Sequence, residues 1–225
     1  CTANLPDPTI ADGSLYFDTK LYTGNGSTQA LTMDNPLLSP DFVWIKSRSE
    51  AKSHELYDAV RGPLYPLNSN KTDQEYLTVN SLTAFNTNGF SIGSRADVNN
   101  SGQSFVAWAW DAGSSTVTNT DGSITSQVRA NQTAGFSICT YTGSTGNQSF
   151  GHGLNVAPKF ILIKNRSNSA TWFAMFDTGA AHYQYGHLDS TAAFAAASAQ
   201  PVSSTTVTLG NNSVWFGANG DNYVA

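Results

Sequence analysis

The sequence predicts an all-β protein made of two tandem antiparallel domains, each a β-sandwich or jelly roll. The pattern P-x-F-[VI]-x-I-K-x-R-S occurs at residues 40–49 and recurs about 118 residues later at 158–167, which indicates an internal repeat. Short runs rich in Val, Ile, Phe, Tyr and Trp are separated, roughly every eight to twelve residues, by Gly, Asn, Ser or Pro. Charged residues make up only 12% of the chain while apolar residues reach 40%, which favours a folded, loop-rich β protein over a disordered one.

The repeat sets the expected domain boundaries. Leu56-Tyr57-Asp58 is matched by Met175-Phe176-Asp177, and Phe105-Val106-Ala107 is matched by Tyr223-Val224-Ala225, after which the first copy continues to Trp108-Ala109-Trp110. We therefore expect that Ala225 is not the natural end, and Cys1, which is no initiator Met, points the same way. The predicted parts are a lead-in (1–14), a first sandwich (15–113), a β-ribbon connector (114–133) and a second sandwich (134–225) truncated at its last strand. One composite sandwich with strands from both copies is the alternative.

Individual elements follow from local patterns. The repeated runs FVWIK and FILIK are apolar almost throughout, as expected of central strands covered on both faces. The Asp121-Gly122 pair predicts a hairpin turn in the connector. Residues 191–199 have helical composition, and we expect short helices there and in the matched segment 68–76, on a loop covering one sandwich end. Strands are predicted at 42–46, 89–92, 104–110, 123–129, 135–141, 159–164, 171–176, 205–209 and 213–216.

Charge and cysteine content narrow the partners. The net charge is −5 and Lys and Arg are not clustered, which argues against nucleic-acid binding. No run of about 18 apolar residues occurs, so no membrane insertion is expected. Cys139 lies in an alternating strand-like run and is interpreted as a packed free thiol, although a bridge to Cys1 stays open.

A family resemblance rests on several motifs that occur in order. They are YTGNGS, PDFVWIKSRS, LYDAVRG, FNTNGFSIGS and FVAWAWDAG, followed by GFSICTYTG, GHGL and APKFILIKNRS. Together, over about residues 11–225, they resemble the repeated β domain of tail-fibre and related virion proteins of tailed bacteriophages, especially those that infect marine bacteria. The resemblance implies a lectin-like module on an extracellular virion appendage, assembled with other fibre subunits and often trimeric, with host-surface glycan as the expected ligand. It implies no catalytic residue and no cofactor.

Asp58 and Arg61 stand three residues apart just after a strand. Such a pair is interpreted as a charge-assisted bond that holds a loop, with saccharide contact as the alternative. The second copy keeps the acid as Asp177 but lacks the Arg, which argues against a chemical role shared by both copies.

Two repeated Lys-x-Arg pairs alternate to one face at the end of the central strand. They are Lys46 with Arg48 and Lys164 with Arg166. We expect their stems to cover apolar surface while the charged heads remain in water, and contact with an anionic ligand such as a lipopolysaccharide phosphate is the alternative.

Weak ligand-binding candidates come from loop-like sequence. Aromatic side chains there can stack on sugar rings, and Asp and Asn oxygens can bind sugar hydroxyls or Ca²⁺, although the same residues are favoured in turns. His152, between two glycines, is interpreted as a turn residue, and no metal site is predicted. The candidates are Tyr65, Tyr183, Tyr185, Asp97, Asn99, Asp221 and Asn222.

The sequence therefore favours a non-enzymatic structural and adhesive module. One alternative is a purely architectural protein of a virion or a secreted filament. The other is a polysaccharide depolymerase, which would need two carboxylates across a cleft. Glu occurs only at positions 50, 55 and 75, all in the first copy, so the enzymatic alternative is the weaker one.

Overall fold

The protein is almost entirely antiparallel β-structure. A computed structural model describes residues 10–179, 182–196, 201–210 and 213–225. Helix is confined there to one 3-10 turn (Gly13–Leu15) and the four-residue α1 (Ala96–Asn99). In chain order the strands are β1 (Phe17–Thr23), β2 (Gln29–Thr32), β3 (Phe42–Ser47), β4 (Glu55–Asp58), β5 (Gly62–Leu67), β6 (Leu82–Asn86), β7 (Gly89–Ile92), β8 (Ser104–Trp110), β9 (Val117–Asn119), β10 (Ser126–Asn131), β11 (Phe136–Thr142), β12 (Gln148–Gly151), β13 (Phe160–Asn165), β14 (Phe173–Phe176), β15 (Gln184–His187), β16 (Ala195–Ala196), β17 (Thr206–Leu209) and β18 (Asn222–Val224).

The strands form two large and two small sheets. The first large sheet has the order β1-β8-β3-β4-β5, and the first small sheet has the order β2-β7-β6. The second large sheet has the order β16-β15-β14-β13-β18-β11-β10-β9, and the second small sheet pairs β12 with β17. Five neighbouring strands of the second large sheet, β11-β18-β13-β14-β15, have the same order as the strands β1-β8-β3-β4-β5 of the first. Every strand pairing is antiparallel, as predicted.

Each large sheet covers an apolar core together with its small sheet. In the first core, Val43 and Ile45 of β3 pack in one cluster with Phe90 of β7. In the second core, Ile161 and Ile163 of β13 pack in one cluster that also contains Phe150 and Val207. The protein is therefore all-β, with antiparallel sheets packed over apolar cores in an arrangement consistent with a β-sandwich.

A third apolar layer lies between the two large sheets. It contains Leu56 and Leu67 from the first half and Ile138, Trp172 and Val224 from the second. Phe42, Trp44 and Leu162 pack against this layer from the outer faces of β3 and β13. The prediction of central strands covered on both sides is confirmed for FVWIK, because its alternate residues belong to different cores. It holds for FILIK from Ile161 onward, whereas Phe160 is 58% exposed.

The helix predicted at 191–199 is absent from its described part. Residues 191–194 have no regular secondary structure and Ala195–Ala196 form β16, which pairs with β15, while 197–199 lie outside the described residues. Phe194 packs edge-on against Phe176 with the ring centroids 4.8 Å apart, directly over Gly186. Tertiary packing therefore overrides the high helix propensity of alanine.

The helix predicted at 68–76 is also wrong. The segment has a turn at residues 69–70 and is otherwise irregular. Its backbone carbonyls bond to the other half of the chain: that of Asn68 accepts from the indole of Trp172 at 2.8 Å, and that of Thr72 accepts from the Ala170 amide at 2.9 Å. A helix would have used these carbonyls internally.

Two predicted strands also need correction. Residues 213–216 form a turn, in which the amide of Gly217 donates to the carbonyl of Ser213 at 2.8 Å. The strand predicted at 123–129 begins later, at Ser126. The connector is a β-ribbon, as expected from Asp121-Gly122, since β9 pairs with β10. Because β10 also pairs with β11, the ribbon is the edge of the second large sheet. In the described part of the chain, no helix is long and apolar enough to cross a membrane.

Candidate functional site: repeated polar loops and a charged junction

The repeated K-x-R-S motif ties the central strand to the last strand of each half. The amide of Arg48 donates to the carbonyl of Ser104 at 2.8 Å, and the amide of Ser104 donates to the hydroxyl of Ser49 at 3.0 Å. In the second half, the amide of Arg166 donates to Asn222 at 2.8 Å, and the amide of Asn222 donates to the hydroxyl of Ser167 at 2.9 Å. The serine of the motif therefore accepts the first backbone donor of the last strand, which is a structural reason for its recurrence.

The Y-T-G motif closes the neighbouring loop in both halves. The amide of Gly24 donates to Gln103 and that of Gly143 donates to Asp221, each at 2.8 Å. A Cβ at either glycine would overlap the backbone carbonyl of the facing loop. Glycine is therefore required here by the close approach of two backbones.

The lysines of the motif turn back onto the backbone. The ammonium group of Lys46 donates to the carbonyl of Ser47 at 2.8 Å, and that of Lys164 donates to the carbonyls of Asn165 and Thr72 at 3.1 Å each. Lys164 is fully buried. The prediction that its charge remains in water is wrong, because residues around Thr72 cover it.

Lys164 gives the protein a pH-dependent stability. Burial lowers its pKa to about 8 from the ordinary 10.5, although the charges of Asp189 and Asp73 oppose the shift. Between these two values the unfolded chain binds more protons, so the lysine makes the free energy of unfolding rise with pH. Chemical denaturation from about pH 8 to pH 10 is expected to show a smaller rise for Lys164→Met than for the wild type. Lys46→Met, at the matched position, is the control, and equal pH slopes for Lys164→Met and the wild type would contradict the prediction.

A charged junction joins the two halves, defined by Asp58, Arg61, Glu75 and Arg166. Arg61 binds Asp58 at 2.5 Å and Glu75 at 2.9 Å, with the side chains of Arg61 and Asp58 each only 1% exposed. Arg166 binds the two oxygens of Glu75 at 3.0 and 2.8 Å. The interpretation of Asp58 and Arg61 as an anchor agrees with this geometry.

The electrostatics of the junction keep Arg61 and Glu75 ionised. Burial alone lowers the pKa of Arg61, but the charges of Asp58 and Glu75 outweigh it and raise the pKa. Burial likewise raises the pKa of Glu75, but its hydrogen bond to Arg166 and the charge of Arg61 leave the pKa below its usual value. Asp177, the matched acid of the second half, instead binds the exposed Lys159 at 2.5 Å.

The tyrosines singled out in the sequence occupy different environments. Tyr183 is buried, and its hydroxyl donates to the carbonyl of Pro158 at 2.9 Å, so it offers no surface for stacking. Tyr185 is half-buried and stacks on Phe173 with the centroids 5.4 Å apart. Tyr65, on β5, is exposed. The prediction that Tyr183 lies in a surface loop is therefore wrong, because it directly precedes β15 and is buried in the core.

The polar loop candidates are mainly structural. Asn99 is buried, and its amide group donates to Gly93 and Ser27. Asp97 pairs with Arg95 at 2.9 Å, and Asp221 accepts from Asn165 and Asn168 at 2.8 Å each. Asn222 is exposed and accepts from Thr142 at 2.9 Å. Among the residues with described contacts, no bond joins the two loop pairs into one site.

Cys139 and His152 are both buried, and each has a structural environment of its own. The thiol of Cys139 is free, and burial raises its pKa to about 12. The ring of His152 accepts from the Leu154 amide at 3.2 Å and lies 3.3 Å from the Ser203 carbonyl, which agrees with a turn role. The described residues contain no group of three or more His, Cys, Asp or Glu side chains able to hold a metal ion. Cys1 lies outside them.

Sequence reasoning missed an exposed aromatic surface beside the loops of the second half. Trp215 is 38% exposed, and its ring lies 4.9 Å from that of His187. Asn165 joins this turn to the polar loop, since its amide donates to Val214 at 2.9 Å and to Asp221. Asn168 and Asn222 are exposed on the same loops, where the amide group of Asn168 donates to Asp221 and the backbone amide of Asn222 donates to Ser167. We call Trp215, Asn168 and Asn222 the Trp215 surface. Trp215 was not among the sequence candidates, and residues 213–216 were wrongly predicted to form a strand.

Comparison with known proteins gives one match. A family model described as "Domain of unknown function (DUF7483)" matches residues 12–225, which is nearly the whole chain. Neither the curated proteins nor the solved structures contain a significant match.

Proposed function

We propose, from the premise that this chain belongs to the DUF7483 family, that it is a non-enzymatic structural and adhesive module of an extracellular virion appendage such as a phage tail fibre. In this role it packs against other fibre subunits, as a homotrimer, and contributes to the recognition of a host-surface glycan. The observation that carries the proposal is the Trp215 surface, where a partly exposed aromatic ring is linked through Asn165 to a loop that carries exposed amide groups. Aromatic faces and amides are the groups that bind sugar rings and hydroxyls.

We infer that the two halves arose by tandem duplication of one β module. Their large sheets share a strand order, and equivalent hydrogen bonds recur in both. The hydroxyl of Tyr22 donates to Val98 at 2.7 Å, for example, while that of Tyr141 donates to Phe216 at 2.8 Å. Duplicated modules suit an adhesin, because weak contacts gain strength when they are multiplied along a fibre.

The acidic residues favour this proposal over a polysaccharide depolymerase. Glu55 is buried against Ser81 and Arg95, and Asp58 and Glu75 are held by Arg61 in the charged junction. Glu50 and Asp177 each pair with a lysine. These bonds give the acids structural roles and leave none of them facing another across an open cleft.

The Trp215 surface gives the first test. Glycan-array binding, with host-type surface polysaccharides, is expected to weaken about fivefold in Trp215→Ala, because ring stacking contributes about 1 kcal/mol. Leu37→Ala is the matched control, since Leu37 is also exposed and apolar. Equal binding by Trp215→Ala and the wild type would show that the glycan does not bind at the Trp215 surface. Absence of binding at millimolar sugar would favour the architectural alternative.

A further inference from the structure

The last strand of the second half leaves part of its sheet unfilled. In the first half, β8 is seven residues long and lies between β1 and β3, pairing with β1 from Ser104 to Trp110. In the second half, β18 has three residues and occupies the same place between β11 and β13. Ala225 adds one further pair of hydrogen bonds, with Cys139, at 2.7 and 2.8 Å.

Two strand edges therefore face each other beyond Ala225. β13 pairs with β14 over Phe160–Ile163, but its pairing with β18 covers only Lys164 and Asn165. β11 pairs with β10 along its length, but with β18 only from Thr140. In the described part of the chain, no strand lies between these two free edges. We call this gap the β11–β13 slot.

The slot opens into a cavity of about 530 Å³. Its walls include both free edges, Ala225, and apolar side chains of the facing sheets, among them Trp44 and Phe150. Trp44 belongs to the layer between the large sheets and Phe150 to the core of the second sandwich. The cavity thus passes through the second large sheet where one more strand segment would close it.

We propose that the β11–β13 slot accepts an extended segment that continues from Ala225 in the direction of β18, with aromatic side chains alternating with a small one. The backbone supports this proposal, because hydrogen bonds alternate along an antiparallel strand. The backbone amide of Cys139, on β11, donates to the carbonyl of Ala225, and that of Arg166, after β13, donates to the carbonyl of Asn222. Continuing the two registers past Ala225, the first amides without a partner strand are those of Ser137 on β11 and Leu162 on β13. Both amides face the slot and need an acceptor there.

The first half supplies the side-chain pattern. Ala107 and Ala109 of β8 lie in the first sandwich core, while Trp108 pairs with Trp44 and Trp110 with Phe42 on the opposite face. Val224 and Ala225 already follow this alternation, since Val224 lies in the layer between the large sheets and Ala225 packs against the second sandwich core. The next two large side chains would enter the cavity from the side of Trp44.

The slot also explains an otherwise exposed aromatic. Phe160, at the open end of β13, is 58% exposed, whereas the matched Phe42 is half-buried against Trp110 at a centroid distance of 5.3 Å. An aromatic residue opposite Phe160 would make the same contact. This proposal concerns the closure of the fold and does not rest on the proposed function.

The test is to extend the chain after Ala225 with Trp-Ala-Trp, the sequence of residues 108–110. The extended protein is expected to melt about 5 °C or more above the wild type. In hydrogen exchange, the amides of Ser137 and Leu162 are expected to slow at least tenfold. Extension with Trp-Pro-Trp is the control, because it has similar hydrophobicity but proline cannot occupy a central strand.

Each outcome decides the proposal. Higher stability with protection of both amides, absent from the Trp-Pro-Trp control, supports it. Equal melting and equal exchange in both extended proteins would overturn it. Protection of these amides by a separate Ala-Trp-Ala-Trp peptide, without any effect of the covalent extension, would overturn the continuity with Ala225.

Discussion

Replacement of Arg61 by methionine is expected to lower the free energy of unfolding by about 3–5 kcal/mol, because removal of one member of a buried ion pair leaves the other charge without compensation. Arg61 binds Asp58 and Glu75 with its side chain 1% exposed, and it also donates to the carbonyls of Tyr65 and Leu56. Arg166 would still bind Glu75, so the main cost falls on Asp58. Urea denaturation monitored by tryptophan fluorescence measures the change.

A second variant separates the ion pair from the loss of packing. Asp58→Asn combined with Arg61→Met removes both charges, and it is expected to be more stable than Arg61→Met alone. Asp34→Ala is the surface control, because Asp34 pairs with Lys20 at 2.5 Å but is 71% exposed, and its loss is expected to cost less than about 1 kcal/mol. Similar losses for Arg61→Met and Asp34→Ala would show that the junction does not stabilise the fold.

Replacement of Trp172 by alanine is expected to cost about 3–5 kcal/mol, since a large buried aromatic is removed and a cavity is left. Trp172 is 4% exposed, lies in the layer between the two large sheets and donates to the Asn68 carbonyl at 2.8 Å. The loss affects the contact between the halves, so the unfolding transition is also expected to broaden or divide into two. Denaturation followed by circular dichroism and by fluorescence detects this.

Leu37→Ala is the surface control for that experiment. Leu37 is 74% exposed, so its loss is expected to cost less than about 1 kcal/mol and to leave a single transition. If Trp172→Ala were as stable as Leu37→Ala, the layer between the large sheets would contribute little to folding.

The central strands were predictable from sequence, because burial on two faces leaves a direct record in the residues, whereas strands such as β1, β5 and β6 were not among those predicted. Successive side chains of β3 and β13 lie alternately in two apolar cores, and a nearly continuous apolar run such as FVWIK is typical of a strand in that position. Turn chemistry was equally informative at Asp121-Gly122, where β9 and β10 pair.

Two features that the sequence did not reveal, the irregular segment 68–76 and the burial of Lys164, depend on contacts between distant residues. Residues 68–76 lack helix because Trp172 and Ala170, about a hundred residues away, use their carbonyls. Lys164 is buried because the same segment covers it, and nothing in the local pattern K-x-R distinguishes it from the half-buried Lys46. The Trp215 surface was missed for a local reason, since alternation in residues 213–216 resembles a strand but the backbone turns there.

Native-state hydrogen exchange of the intact protein tests the central claim most directly, namely that two sandwiches are joined by the layer between their large sheets into one cooperative unit. The account predicts that the amides of β3, and those amides of β13 that bond to β14, are the most protected and exchange with the same free energy of opening, equal to that of global unfolding. If the amides of one central strand opened at a much lower free energy than those of the other, the two halves would unfold separately and the account would be contradicted.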